Sequence, residues 1–174
     1  MDSIVTMRRF ASFRDFLSRL IAVFRGPSII STLVKTDALF REKILLTVTL
    51  VNNCYTCMNL HSAAGRRLGL DDAHIEDLLT LDREKFEYRE WLALRYAQDR
   101  AFLGGAEPAG DYMEEYRRSY SPKERSRISK LVAVMLFANY WNNTFRRKAW
   151  REDIEGSSVS CRMKAAKRPD GGRA

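Results

Sequence analysis

Apolar positions recur every three or four residues along most of this 174-residue chain, and short polar breaks containing Gly or Pro separate the repeats. This spacing predicts helices, because positions i, i+3, i+4 and i+7 lie on one helix face. No convincing strand–turn–strand pattern interrupts the series. We therefore expect an all-α fold.

Several local signals set the expected helix boundaries. Helix starts are predicted at Asp37, Asn53, Asp71, Pro108 and Ser121, and helix ends at Pro27, Gly69 and Gly104. Ser121-Pro122-Lys123-Glu124 is a capping box with proline at the first helical position. Arg83 to Leu103 is predicted as one long helix, and the helix that begins at Pro122 is expected to run as far as Asp153.

The segment Ile44–Val51 is ambiguous by pattern, because it is rich in β-branched residues and has the length of a strand. Helical sequence flanks it on both sides, and no partner strand is evident elsewhere. A fully buried helix is the consistent prediction.

Residues 1–26 are predicted to form an amphipathic helix in which apolar positions from Phe10 to Phe24 alternate with arginines. Two interpretations fit this pattern. The favoured one is that the apolar stripe faces the core, as in most amphipathic helices. The other is an organelle-targeting segment or a helix that lies on a membrane surface.

Charge is unevenly distributed along the chain. The formal net charge is +8, yet residues 1–26 contribute +3 and residues 156–174 contribute +4. We expect 27–155 to be the helical domain and 156–174 to be a disordered basic tail. The apolar runs are too short for a spanning helix and there is no secretory signal pattern, so we expect a cytoplasmic protein that binds neither nucleic acid nor a membrane.

Two of the three cysteines form the motif Cys54-Tyr-Thr-Cys57, and Cys161 lies in the tail. On a helix the two sulfurs would be neighbours, and His61 would follow Cys57 by one turn. A position in the first helical turn would lower the pKa of Cys54, which favours redox chemistry. The alternatives are a zinc site that adds His61 and His74, for which the spacing is unusual, and inert core cysteines.

Glu42 completes a spaced set, Glu-x11-Cys-x2-Cys-x3-His, formed with Cys54, Cys57 and His61. With Asn52-Asn53 before the first cysteine, this pattern resembles the signature of the alkylhydroperoxidase D-like (AhpD-like) proteins of the carboxymuconolactone decarboxylase superfamily. The resemblance is clearest from Asp37 to Leu79. The helix that contains Phe137–Asn143 also resembles the closing helix of that family.

The resemblance implies a homo-oligomer, a trimer or hexamer, in which each subunit is an all-α helical bundle. It also implies that the protein reduces hydroperoxides with no metal or organic cofactor. It implies that Cys57 attacks the peroxide, Cys54 resolves the product as a disulfide, and Glu42 and His61 relay the proton. Local physics favours the lower pKa at Cys54 instead, so the order of attack stays open. Thr56 stands where the best-known members have histidine. The expected reductant is a lipoylated protein or another thiol protein.

Two other functions remain possible on the sequence alone. A non-enzymatic oligomer could use the cysteine pair as a redox sensor. The basic ends could also bind nucleic acid or a membrane surface. On the last helix, the polar side chains near the C-terminal end have two equally good interpretations, as pocket residues or as helix–helix contacts. These are Asn139, Tyr140, Asn142 and Asn143.

Overall fold

The computed structural model describes residues 5–146, which contain eight α-helices, one 3-10 turn and no β-strand. This confirms the all-α prediction. The helices are α1 (Phe13–Phe24), α2 (Ile29–Lys35), α3 (Ala38–Asn52), α4 (Tyr55–Arg67), α5 (Asp72–Thr80), α6 (Tyr88–Phe102), α7 (Tyr112–Ser119) and α8 (Pro122–Phe145), and the 3-10 turn is Arg83–Lys85.

Helix α3 forms the centre of the fold. It contacts α4, α5, α6 and α8, and every residue from Ile44 to Asn52 is buried. Its β-branched side chains are therefore surrounded by other helices, which accounts for the absence of an amphipathic pattern. The prediction of a buried helix at Ile44–Val51 is confirmed.

Side-chain caps begin several helices as predicted. The Asp37 carboxylate accepts a hydrogen bond from the Phe40 N–H at 2.9 Å, and Asp71 accepts one from the His74 N–H at 2.8 Å. The capping box is present, since the Ser121 hydroxyl accepts from the Glu124 N–H and the Glu124 carboxylate accepts from the Ser121 N–H. These contacts satisfy N–H groups that have no partner within their own helix.

Two predicted helix starts between residues 81 and 121 are wrong. The helix expected from Arg83 begins only at Tyr88, because Glu87 caps it with hydrogen bonds from the Arg89 and Glu90 N–H groups. Pro108 lies in a loop, and α7 begins at Tyr112 instead.

The carboxylate of Glu107, immediately before Pro108, accepts a hydrogen bond from the Tyr96 hydroxyl and does not cap a helix. The end of the last helix predicted at Asp153, and the tail predicted at 156–174, lie outside the described residues.

The N-terminal helix is shorter than predicted and faces the core only in part. Residues 5–11 are not helical, and the Ser12 hydroxyl caps α1 by accepting from the Asp15 N–H. Val23 is buried, whereas Phe13 and Phe24 are 75% and 74% exposed. The favoured interpretation of a core-facing stripe is therefore wrong for half of the apolar face, because α8 covers only one side of α1.

A search of residues 5–146 finds no single helix with the length and apolar character needed to cross a membrane. Taken together, α1 and α2 meet that test of length and composition, with a bend of 55° between them.

Candidate active site at Cys54 and Cys57

The cysteine pair lies at the junction between α3 and α4. Asn53, expected as the N-cap of α4, is instead the C-cap of α3, in the left-handed region at φ 49° and ψ 44°. Asparagine tolerates this conformation better than most residues. Cys54 is therefore the N-cap of α4, and Cys57 lies in its first turn. The predicted N-cap of α4 is therefore wrong by one residue, and Cys54 lies at the helix terminus itself.

The two thiols are free, buried and in contact. The Cys54 and Cys57 sulfurs are 2.8 Å apart, and the residues are 0% and 4% exposed. A disulfide requires an S–S distance of about 2.05 Å. The described state is therefore a dithiol whose sulfurs need only a small movement to bond.

The two thiols differ in acidity. The pKa of Cys54 is lowered, first by the hydrogen bond with the Cys57 thiol and then, against the effect of burial, by backbone N–H groups at the start of α4. The same hydrogen bond raises the pKa of Cys57, as do burial and the charge on Cys54. The Cys54 side chain makes no geometrically complete capping hydrogen bond, so the N–H groups act mainly through their partial charges. The first negative charge of the pair therefore resides on Cys54.

His61 and Glu42 form a second pair beside the cysteines. His61 lies one turn after Cys57 on α4, and its Nδ1 is 2.7 Å from Oε2 of Glu42 on α3. An ionised carboxylate can only accept, so Nδ1 carries the proton, and Nε2 has a free lone pair whenever the ring is neutral. The structure thus pairs these two predicted site residues across two helices.

Arg41 connects Glu42 to α2. Its Nη1 donates to the Leu33 carbonyl oxygen at 2.8 Å, and its Nε lies 3.5 Å from Oε1 of Glu42. Burial by itself would raise the pKa of Glu42, but the hydrogen bond and charge of His61, together with Arg41, lower it overall. Glu42 is therefore held as a carboxylate, the form that orients the imidazole.

Three asparagines of α8 complete the surroundings of the sulfurs. Asn142 Nδ2 lies 3.6 Å from Cys57 Sγ and also donates to the Ala138 carbonyl at 2.9 Å. Asn139 is fully buried, and its Oδ1 accepts from Asn52 Nδ2 at 3.2 Å. Asn143 Nδ2 donates to the Asn52 carbonyl at 2.8 Å. The helix–helix interpretation is confirmed for Asn139 and Asn143, which join α8 to α3, whereas Asn142 contacts a thiol.

The zinc alternative receives no geometric support in the described part of the chain. Among residues 5–146, no group of three or more His, Cys, Asp and Glu side chains is arranged to hold a metal ion. His74 is at the exposed start of α5, where its Nδ1 is 2.8 Å from Asp71 Oδ1.

Comparison of this chain with models of known protein families finds no match. A comparison with curated proteins finds no similar sequence either.

Proposed function

We propose that this protein is a thiol-dependent peroxidase or disulfide reductase of the AhpD-like type, in which Cys54 and Cys57 cycle between dithiol and disulfide. The observation that carries the proposal is the 2.8 Å contact between the two buried sulfurs, one helical turn before the His61 that pairs with Glu42. Inert core cysteines need neither a thiolate-stabilising helix terminus nor a neighbouring base. Both features suit a thiol that must ionise in order to react.

The proposed reaction consumes one hydroperoxide and two thiols. A thiolate attacks the outer peroxide oxygen, an S–O bond forms as the O–O bond breaks, and an alcohol leaves after taking up a proton. The second thiol then attacks the sulfenic sulfur, so that the disulfide forms and water leaves. The cysteine pair loses two electrons and the peroxide gains them.

His61 and Glu42 are proposed to manage the protons of this cycle. Nε2 of His61 has the free lone pair that accepts a proton from a thiol and returns it to the departing alkoxide or hydroxide. Glu42 fixes the imidazole through Nδ1 and stabilises the imidazolium when it forms.

The order of attack depends on which thiol carries the charge. The resemblance implies attack by Cys57, whereas the lowered pKa of Cys54 and the raised pKa of Cys57 favour the thiolate on Cys54. We propose that Cys54 is the thiolate of the resting pair. The Cys54 thiolate then either attacks the peroxide directly or takes the proton from Cys57, which attacks in its place. Single substitutions, described in the Discussion, separate these two routes.

The remaining parts of the proposal follow from the resemblance. We propose a homo-oligomer, a trimer or hexamer, and a lipoylated protein or another thiol protein as the electron donor. The cycle requires a reducing compartment, for which we propose the cytoplasm. No cofactor of the protein's own is needed, because the two sulfurs carry the electrons.

The decisive experiment is stopped-flow oxidation of the reduced full-length chain, with Cys161 replaced by Ser so that only the pair is counted. Hydrogen peroxide and cumene hydroperoxide are each mixed in limiting amounts, and free thiols are counted before and after. We expect two thiols lost per peroxide consumed. Both Cys54→Ser and Cys57→Ser should abolish disulfide formation, and His61→Gln should slow thiol oxidation by about 10²-fold or more.

His74→Gln is the matched control, since it also removes an imidazole whose Nδ1 lies 2.8 Å from a carboxylate. Its oxidation rate should equal that of the parent protein. Thiols that persist in the presence of both peroxides would rule out the peroxidase. If the Cys54–Cys57 disulfide forms when the protein is mixed with disulfide substrates but not with peroxides, the proposal of a disulfide reductase is retained.

A further inference from the structure

Apolar side chains are exposed along the N-terminal helices. They occupy positions 13, 17, 21 and 24 of α1 and positions 30, 33 and 34 of α2, and their exposed fractions range from 40% to 79%. We call the seven side chains the α1–α2 strip: Phe13, Leu17, Ile21, Phe24, Ile30, Leu33 and Val34. Single exposed apolar side chains need no explanation, but seven on two consecutive helices indicate an interaction site.

The strip arises because the apolar face of α1 is wider than the area that α8 covers. At 100° per residue, the four α1 members of the strip fall within a sector of about 80°. Phe16 and Val23 lie in the adjacent sector, where Phe16 contacts Phe137 of α8 and Val23 is buried. The Lys130 ammonium, which donates to the Val23 and Arg25 carbonyl oxygens, fixes the end of α1 to α8. The orientation that exposes the strip is thus held by contacts on the other side of α1.

Two aromatic rings extend this surface onto the C-terminal end of α8. Phe13 stacks on Phe16 with the ring centroids 6.0 Å apart, and Phe16 contacts Trp141 at 6.1 Å. Trp141 in turn contacts Phe145 at 4.6 Å. Trp141 is 46% exposed and Phe145 is 64% exposed. The exposed rings of Phe13, Trp141 and Phe145 therefore belong to one series of ring contacts that passes through Phe16.

Positive charge coincides with the strip. Residues 5–36 contain six basic and one acidic side chain, whereas residues 37–146 contain sixteen of each. The single acid, Asp15, is paired with Arg19 at 2.7 Å. Arg14, Arg25 and Lys35 are exposed beside the strip. Within residues 5–146, all of the net charge is thus carried by the segment that exposes the apolar side chains.

We propose that the α1–α2 strip binds the surface of an anionic lipid bilayer. Aromatic and aliphatic side chains enter the interface between head groups and acyl chains, while neighbouring arginines and lysine bind the lipid phosphates. This revises the expectation of no membrane partner, which assumed that the apolar stripe was covered by the core. The proposal is independent of the thiol chemistry.

Two other occupants fit the surface less well. A second copy joined through the same face by a two-fold axis would place like charges opposite each other. In a cyclic trimer the strip would face a different surface of the next copy, and residues 37–146 of that copy carry no net charge to match the basic side chains. A nucleic acid would account for the basic side chains but not for aliphatic side chains such as Ile30 and Val34, which are 75% and 79% exposed.

The test is co-sedimentation of the full-length chain with vesicles of phosphatidylcholine alone or of phosphatidylcholine with 30% phosphatidylglycerol. We expect binding to the anionic vesicles that is at least tenfold stronger than to the neutral ones and that weakens with added salt. The strip variant replaces the four most exposed members by serine without changing the charge: Phe13→Ser, Phe24→Ser, Ile30→Ser and Val34→Ser. It should bind at least tenfold more weakly, and so should Arg14→Gln, Arg25→Gln and Lys35→Gln combined.

Matched controls alter exposed side chains elsewhere. Four exposed apolar side chains on or immediately after α4 and α6 are replaced by serine in one variant: Leu60, Leu68, Phe102 and Leu103. Three basic side chains outside the strip are replaced by glutamine in another: Arg67, Arg117 and Lys123. Both controls should bind anionic vesicles like the parent chain, with unchanged helical circular dichroism in every variant.

Three outcomes would overturn the proposal. The first is an absence of vesicle binding. If, in addition, sedimentation velocity shows that the parent chain is an oligomer and that the strip variant is a monomer, the strip binds a second copy of the chain. The second is vesicle binding that the strip variant retains in full. The third is competition by single-stranded RNA that abolishes vesicle binding while the strip variant binds RNA normally, which would assign the surface to nucleic acid.

Discussion

Glu42 and His61 are 19 positions apart in the chain, yet Oε2 of Glu42 and Nδ1 of His61 lie 2.7 Å apart across the packed helices α3 and α4. The carboxylate is buried and the imidazole is half-buried, so the contact is shielded from solvent on most sides. This relationship fixes the ring orientation beside the cysteine pair. It also makes the stability of the fold depend on the charge of Glu42.

The free energy of unfolding should decrease in acid because the Glu42 carboxylate becomes protonated. Burial opposes its ionisation, but the hydrogen bond from His61 and the charges of His61 and Arg41 lower its folded-state pKa below 4.5. A lowered carboxylate pKa contributes stability that is complete above the unfolded-state value and is lost as the pH falls through the folded-state value. We expect the difference in unfolding free energy between the parent and Glu42→Gln to shrink below pH 4.5, as measured by urea unfolding at several pH values. Glu115→Gln, an exposed carboxylate on α7, should show no such trend.

The acidity of Cys54 should depend on a hydrogen-bond donor at position 57. In Cys57→Ser the hydroxyl can still donate to the Cys54 thiolate, whereas in Cys57→Ala it cannot. We expect the Cys54 pKa to be lower in the serine variant than in the alanine variant. The pH dependence of iodoacetamide alkylation, with Cys161 replaced by Ser, measures both values. Equal pKa values would contradict the assignment of the resting charge.

The same variants decide the order of attack. Direct attack by Cys54 predicts that Cys57→Ser, but not Cys54→Ser, forms a sulfenic acid that dimedone traps after peroxide addition. Trapping at Cys57 in Cys54→Ser, with none in Cys57→Ser, would instead support attack by Cys57. With Cys161 replaced by Ser, intact mass spectrometry detects the adduct in each variant, and the one cysteine that remains identifies its site.

Asn139 should support both the fold and the thiols. Asn139→Leu leaves buried polar groups of Thr49 and Asn52 without this partner, so we expect a loss of about 1–3 kcal/mol in the free energy of unfolding. It should also raise the pKa of Cys54, because the Asn139 amide is one of the groups that lower it. Denaturant unfolding and alkylation rates check the two effects. Asn59→Leu, an exposed asparagine on α4, should change stability by less than about 0.5 kcal/mol and leave the thiol pKa unchanged.

The capping box should stabilise α8. Ser121→Ala removes the hydroxyl that accepts from the Glu124 N–H, and a lost N-cap of this kind costs about 1 kcal/mol. Thermal and urea unfolding measure the loss. Ser126→Ala alters an exposed serine on the same helix that caps nothing and should be close to neutral. Equal effects of the two substitutions would show that the cap contributes nothing specific.

Helix existence could be predicted more reliably than helix boundaries. Asp37, Asp71 and Ser121 act within three residues of themselves, so the sequence alone locates their caps. Pro108 misled the prediction because proline fits equally well in a loop, and Glu107 is engaged by Tyr96. Asn53 shifted the start of α4 by one residue, since asparagine is suited both to an N-cap and to a left-handed C-cap.

The helical class, the caps at Asp37, Asp71 and Ser121, and the spacing of Cys54, Cys57 and His61 depend on contacts within one or two turns, so the chain alone predicts them. Contacts between helices place Glu42 of α3 beside His61 and Asn142 of α8 beside Cys57. They also leave the apolar stripe of α1 only half covered. A periodic pattern specifies which side chains share a face, but whether that face is buried depends on the width of the helix that packs against it.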